Sequence, residues 1–193
     1  MTSDQFDRGS WERRWSQVVR DSPEMLASRQ PNAYLLCEAD DLEPGAALEW
    51  QVTAVDFSAT ALDSGRSAAE AAGPDLASRI EWLEVDLGTW VPPRARFDLV
   101  SCLYVHVAGP VTDLVARLGD AVAPGGTLLL VGHRPVDPET GAPTPAAGQV
   151  QVSVEEALAV LEPDAWRIVV AEERTRSVAG TGVDAVIRAV RRR

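Results

Sequence analysis

The chain has 193 residues, 46% of them hydrophobic and 24% charged, which is enough for a sizeable core and ordinary for a globular protein. A net charge of -11 argues against binding a nucleic-acid backbone, which asks for a clustered basic face. Every basic residue is an arginine, which excludes lysine Schiff-base chemistry and a P-loop lysine.

In chain order, residues 4–20 predict an amphipathic helix with Phe6, Trp11 and Trp15 on one face. Residues 31–41 fit a second helix with Pro31 at its start, and a turn follows at 42–45. "WQVTAVD" (50–56) reads as a strand and "SATALDSGRSAAEAAG" (58–73) as a helix capped by Ser58 and stopped by Gly73-Pro74. Strands follow at 80–86 and 97–105. The second runs almost wholly apolar, which predicts burial on both faces. A helix over 110–123 places Leu114, Val115, Leu118 and Val122 together, and a buried strand follows at 127–133. After a proline-rich loop at 134–148, Ser153 and Glu156 form a capping box for a helix over 153–161. Residues 166–177 and 182–192 read as an antiparallel hairpin joined by Gly-Thr-Gly.

Alternating strands and helices closed by a hairpin predict an α/β fold, a mostly parallel sheet with helices on both faces. Cys37 and Cys102 lie apart in apolar surroundings and read as reduced core thiols, not as a disulfide framework or a metal site. No His/Cys/Asp/Glu grouping has metal-ligand spacing. No leader-like opening and no apolar run near the roughly 18 residues of a membrane span are seen, so a cytoplasmic protein is expected. The arginine-rich end at 188–193 reads as a solvated tail.

"WERRW", "VTAVDFSATAL", "IEWLEVDLGTW", "FDLVSCLYVH" and "AVAPGGTLLLVGH", in this order and spacing, resemble the class I S-adenosylmethionine-dependent methyltransferases. Small bacterial members near the tellurite-resistance and thiopurine branch are the most similar. The resemblance covers roughly residues 10 to 192. It implies a Rossmann-like single domain: a helical cap at 1–41, a nucleotide-binding core at 42–133, the loop at 134–148, and a helix with the hairpin at 149–193. It also implies methyl transfer from S-adenosyl-L-methionine to a small-molecule acceptor, with no nucleic acid or membrane partner.

By the same resemblance, Asp56 would accept hydrogen bonds from the ribose diol; otherwise it is a helix N-terminal acid. Phe57 would lie against the adenine or else pack in the core; Asp86 would take the adenine amino group, with Leu87 beside the ring, or else be a plain loop acid. Cys102 would line the cofactor. Trp11 and Trp15 would cap the sulfonium, whose charge suits an aromatic face, or simply pack their helix. Tyr104 and His106 would face the acceptor; His106 is a candidate proton acceptor or else a loop or packing histidine, and His133 is a second candidate.

One family element is missing. A first strand, a GxGxG loop and a helix should precede the strand ending in Asp56, yet Glu49 is followed directly by Trp50. Parallel neighbours need a crossover of about a dozen residues or more. Three explanations stand: a segment of roughly 15–20 residues missing from the sequence as given, a chain that lacks it by nature, or removal by design. Without it, residues 46–55 would merge into one strand with Leu48, Trp50, Val52 and Ala54 on one face. A non-catalytic methyltransferase-like protein is therefore the alternative, as a partner subunit or a remnant with cofactor binding weakened or lost. A nicotinamide-dependent reductase is a third reading, which also wants the glycine-rich loop.

Overall fold

The computed structural model describes residues 8–22, 32–42, 50–137, 139–144, 150–175 and 182–193. They fall into two compact units, 1–31 with 42–90 and 32–41 with 91–193. Phe6, Pro31, the segment 43–49 with the Glu49–Trp50 junction, and Gly180-Thr181 of the expected turn all lie outside the described residues.

The first unit holds helix α1 (Arg8–Asp21) and a right-sized βαβ crossover. Its strands are β1 (Val52–Asp56) and β2 (Ile80–Glu84), paired in parallel from Val52 opposite Ile80 to Asp56 opposite Glu84. Helices α3 (Ala59–Ala72) and α4 (Pro74–Ala77) join them; α2 (Ala33–Ala39) belongs to the other unit. The buried Ser58 caps α3 by accepting from the Ala61 N–H at 3.1 Å. Gly73, at φ 138°, closes it, and Pro74 opens the next turn, where a missing N–H costs nothing. Gly65 lets α3 lie on the Trp82 indole, since a Cβ there would meet the ring at 2.7 Å. Helix α1 is joined to α3 through Glu12, which accepts from the Thr60 N–H and hydroxyl, and through Ser16. Trp50 and Gln51 precede β1 instead of extending it, so the merged strand does not form across them.

The second unit is a four-stranded sheet in the order β3-β4-β6-β5. Strands β3 (Phe97–Leu103) and β4 (Val122–His133) run parallel. Strand β6 (Val183–Arg191) lies antiparallel to both β4 and β5 (Trp166–Thr175), which bears out the hairpin. Leu128 to Val131, Val186 and Ile187 form the fully buried centre. Helix α5 (Val111–Ala121) buries Leu114, Val115 and Leu118 as its spacing predicts, but Val122 already belongs to β4. Ser153 and Glu156 make the expected capping box on a helix shorter than expected, α6 (Val154–Leu158).

Two expectations fail here. Helix α2 (Ala33–Ala39) starts from Asn32, whose side chain accepts from the Tyr34 and Leu35 N–H groups; an Asn oxygen satisfies donors that a proline at the start leaves open. Strand β3 is not buried on both faces: Asp98 and Ser101 are exposed and Cys102 alone is fully covered. Among the described residues β3 pairs with β4 only, and its apolar sequence does not bring burial with it.

Candidate functional site

In parallel α/β sheets, ligands are met beyond the carboxyl ends of the strands. The first unit brings Asp56 and Asp86 to one such edge. Asp56 ends β1, and its carbonyl accepts the Val85 N–H at 3.0 Å, which fixes the chain one residue before Asp86. Each carboxylate is oriented by its own turn. Asp56 Oδ1 accepts from the Ser58 N–H at 2.8 Å, and Asp86 Oδ1 from the Gly88 N–H at 2.7 Å. Burial pushes the Asp56 carboxyl above its ordinary range, the Ser58 and Phe57 N–H groups pull it down, and the charge of Glu12 adds to the rise. Phe57 and Leu87 are half-buried beside these acids in sequence. Trp11 and Trp15 are half-buried on α1, and the Arg14 guanidinium lies 5.2 Å over the Trp11 ring.

The second unit has its own carboxyl edge, where β3 and β4 end, and here side chains from five places meet. Tyr104 follows β3 at φ 59°, an unusual conformation for tyrosine, with its N–H on the Val131 carbonyl at 2.8 Å. Its hydroxyl donates to Asp184 Oδ2 at 3.1 Å. Asp184 Oδ1 lies 2.8 Å from His133 Nδ1, and the register of β4 and β6 places those two residues opposite one another. The Tyr104 and His133 rings stack with centroids 4.1 Å apart. Burial, then the nearby Asp184 charge, pushes the Tyr104 hydroxyl up to about 12, so it stays a donor.

Gln151 extends the chain of contacts. Its Oε1 accepts from the His133 backbone N–H at 2.7 Å, and its Nε2 lies 3.0 Å from His106 Nε2. Since the amide oxygen is used by His133, the amide nitrogen is the donor, and His106 Nε2 accepts. Gly132 makes this approach possible: a Cβ there would stand 2.5 Å from the Val152 carbonyl oxygen. Cys102 sits under this edge, its thiol pushed up to about 12 by burial.

Tyr104 and His106 thus lie on one chain of contacts that runs through Asp184, His133 and Gln151. Sequence reasoning missed Gln151 and Asp184. The one available signal is Asp184 itself, a lone acid among apolar neighbours in "GVDAVIRAV". Among the described residues no group of three or more His, Cys, Asp or Glu side chains is placed to hold a metal, and no helix is long and apolar enough to cross a membrane.

Residues 39–126 match Methyltransf_25, a methyltransferase domain family. A search of curated protein sequences returned no match. Among solved structures, the fold is shared with geranyl diphosphate C-methyltransferase from Streptomyces coelicolor A3(2), at TM-score 0.57 and 13% identity over 74% of this chain and 64% of that one. The chain therefore spans less than two thirds of that enzyme. A chain from the complex between the Haloferax volcanii Trm112 methyltransferase activator and a methyltransferase matches at TM-score 0.60 and 11% identity, over 96% of each chain. The [4+2]-cyclase SpnF matches at TM-score 0.57 and 13% identity, over 97% of this chain and 86% of that one. At these identities the likeness is one of fold, and the cyclase shows that this fold is not tied to one reaction.

Proposed function

We propose that the chain transfers a methyl group from S-adenosyl-L-methionine to a small-molecule acceptor. The observation that carries this is the pair of oriented carboxylates, Asp56 and Asp86, at adjacent carboxyl ends of parallel strands within the segment that matches a methyltransferase domain.

The residues present suit a nucleoside. A carboxylate has about four acceptor sites, and the turn bonds to Asp56 leave room for the two hydroxyls of a ribose. Asp86, more exposed, takes the adenine amino group, with Phe57 and Leu87 flanking the ring. Cys102, Trp11 and Trp15 complete the cofactor side in this reading, and Tyr104 and His106 serve the acceptor side. When bound, the cofactor supplies a methyl already activated by its sulfonium, so the protein's work is holding donor and acceptor in attack geometry.

Isothermal titration of the full chain with S-adenosylmethionine tests this. Binding is expected in the micromolar range, and Asp56→Ala is expected to weaken it about tenfold or more, ~1.4 kcal/mol. Absence of binding sinks the proposal and leaves the non-catalytic methyltransferase-like reading. The absent glycine-rich loop, in a sequence that runs from Glu49 straight to Trp50, is the specific feature on that side.

A further inference from the structure

At the other end of β4 from His133, the second unit carries a cleft that the reading above leaves unused. It is an open hollow of about 520 Å³, lined by Gly125, Arg167, Val190, Arg191, Arg192 and Arg193. Four of these six residues are arginines, in a chain whose net charge is -11. The register of the hairpin builds the cluster. Arg167 stands opposite Val190 and Trp166 opposite Arg191, so the start of β5 and the end of β6 bring their basic residues to one edge. Arg193 lies across Gly125, where a Cβ would stand 3.2 Å from its Nε. The residues that read as a solvated tail in the sequence therefore form one wall of a cleft. Their printed partners are backbone carbonyls. Arg191 Nη1 donates to the Val122 carbonyl at 2.6 Å and to the Asp120 carbonyl at 3.2 Å, and Arg192 Nε donates to the Pro163 carbonyl at 3.0 Å. The Asp120 carboxylate itself pairs with Arg94, at 3.3 Å. Glu162 and Asp164, in the turn before β5, are exposed and do not line the cleft. A carbonyl oxygen orients a guanidinium without cancelling its charge, and each guanidinium has five donors, so donors remain to be used.

We propose that this cleft binds a small oligophosphate, an anion of two or more linked phosphoryl groups with no large apolar part. The proposal is independent of the methyl-transfer reading, because every lining residue belongs to the second unit. The volume falls within the roughly 300–1,000 Å³ of small-ligand sites and exceeds what a single phosphate fills. Val190 is the only large apolar side chain in the lining, which leaves little to hold a ring or an alkyl chain. Guanidinium groups pair bidentately with both phosphate and carboxylate. Here they come from two strands and from the segment after β6, so the ligand has to accept on several sides. A tetrahedral phosphoryl group offers oxygens in that way, whereas a planar carboxylate offers two oxygens in one plane. A nucleic-acid backbone fits less well. It needs a basic face longer than one cleft, and the acidic remainder of the chain repels it.

Calorimetric titration of the full chain with sodium tripolyphosphate, at neutral pH and without magnesium, tests this. One saturable site is expected, with a dissociation constant on the order of 10–100 µM at low salt. Affinity should fall about tenfold or more as sodium chloride rises from roughly 50 to 300 mM. Orthophosphate and citrate should each bind at least about tenfold more weakly than tripolyphosphate. In the 15N-labelled chain, the Gly125 and Arg192 amide resonances should move during the titration. Arg167→Gln and Arg192→Gln change exposed side chains, so both variants should fold, as circular dichroism will show. Each should weaken tripolyphosphate about tenfold. Arg66→Gln removes the same charge from α3, outside the lining, and should stay within about twofold of the parent. Absence of saturable binding overturns the proposal, as does an unmoved Gly125 resonance at saturation. Citrate binding as tightly as tripolyphosphate overturns the phosphate assignment, and a short oligonucleotide binding more tightly makes this a nucleic-acid contact instead. An equal loss in Arg66→Gln reduces the effect to general charge attraction and also overturns it.

Discussion

At the β1–β2 edge each acid is held by an N–H two residues further along its own turn, Asp56 by Ser58 and Asp86 by Gly88. At the β3–β4 edge Asp184 is held by side chains 51 and 80 residues away in sequence. The first arrangement is local: each acid can be changed and its turn keeps most of its bonds. The second joins two half-buried side chains through one buried acid, so one deletion removes the acceptor of both. Local placement suits residues that meet a ligand, and long-range placement suits residues whose orientation must be exact.

This contrast is sharpest in stability. Asp184→Ala removes the acceptor for both the Tyr104 hydroxyl and His133 Nδ1 in a fully buried position, and is expected to cost about 2–4 kcal/mol in urea unfolding. Asp86→Ala, at an exposed turn, should cost less than about 1 kcal/mol. Equal losses would break the comparison. Next in size is Gly132→Ala. The added methyl meets backbone, the Val152 carbonyl, and a backbone contact yields less readily than a side chain; about 1–3 kcal/mol is expected. If the segment moves to make room, Gln151 loses the His133 N–H, and the His106 and His133 ring resonances should both shift in the NMR spectrum.

How far these regions could be read in advance follows the same division. The Ser58 cap, the Ser153–Glu156 capping box and the hairpin were legible because each depends on neighbours a few residues apart. The five-residue meeting of Tyr104, His106, His133, Gln151 and Asp184 was not, because it exists only once β4 and β6 are in register, with His133 opposite Asp184. The apolar run of β3 predicts burial that Asp98 and Ser101 do not have, because a sequence records hydrophobicity and not which residues end up covered. Asn32 caps α2 because its side-chain oxygen satisfies two N–H groups, which a neighbouring proline has no acceptor side chain to do.

Smaller effects sharpen the local side of the contrast. The Asp56 carboxyl is raised, so the folded state binds its proton more tightly than the unfolded state does. That contribution is full below the unfolded value of about 3.9 and is lost as pH rises through the folded value. At neutral pH the charge therefore opposes folding. Asp56→Asn should raise Tm slightly at pH 7, leave Tm nearly unchanged below pH 3, and weaken S-adenosylmethionine binding, three readouts with different signs. The smallest expected change is chemical. In the native chain a thiol reagent at neutral pH should titrate the exposed Cys37 and spare the buried Cys102, whose thiol lies up to about 12. Both should react in denaturant.

Helix α2 links sequence order to assembly. It is fastened by Glu38 to Arg174 and by Asp41 to Arg188, partners 136 and 147 residues further along the chain. It belongs to the second unit although residues of the first unit flank it on both sides in sequence. During synthesis, α2 leaves the ribosome long before its partners exist. The first unit can collect its strands early, but the second closes only after the final hairpin emerges. A chain cut after residue 90 would thus carry a helix with nothing to dock on, and a chain begun at 91 would leave Arg174 and Arg188 without these acids.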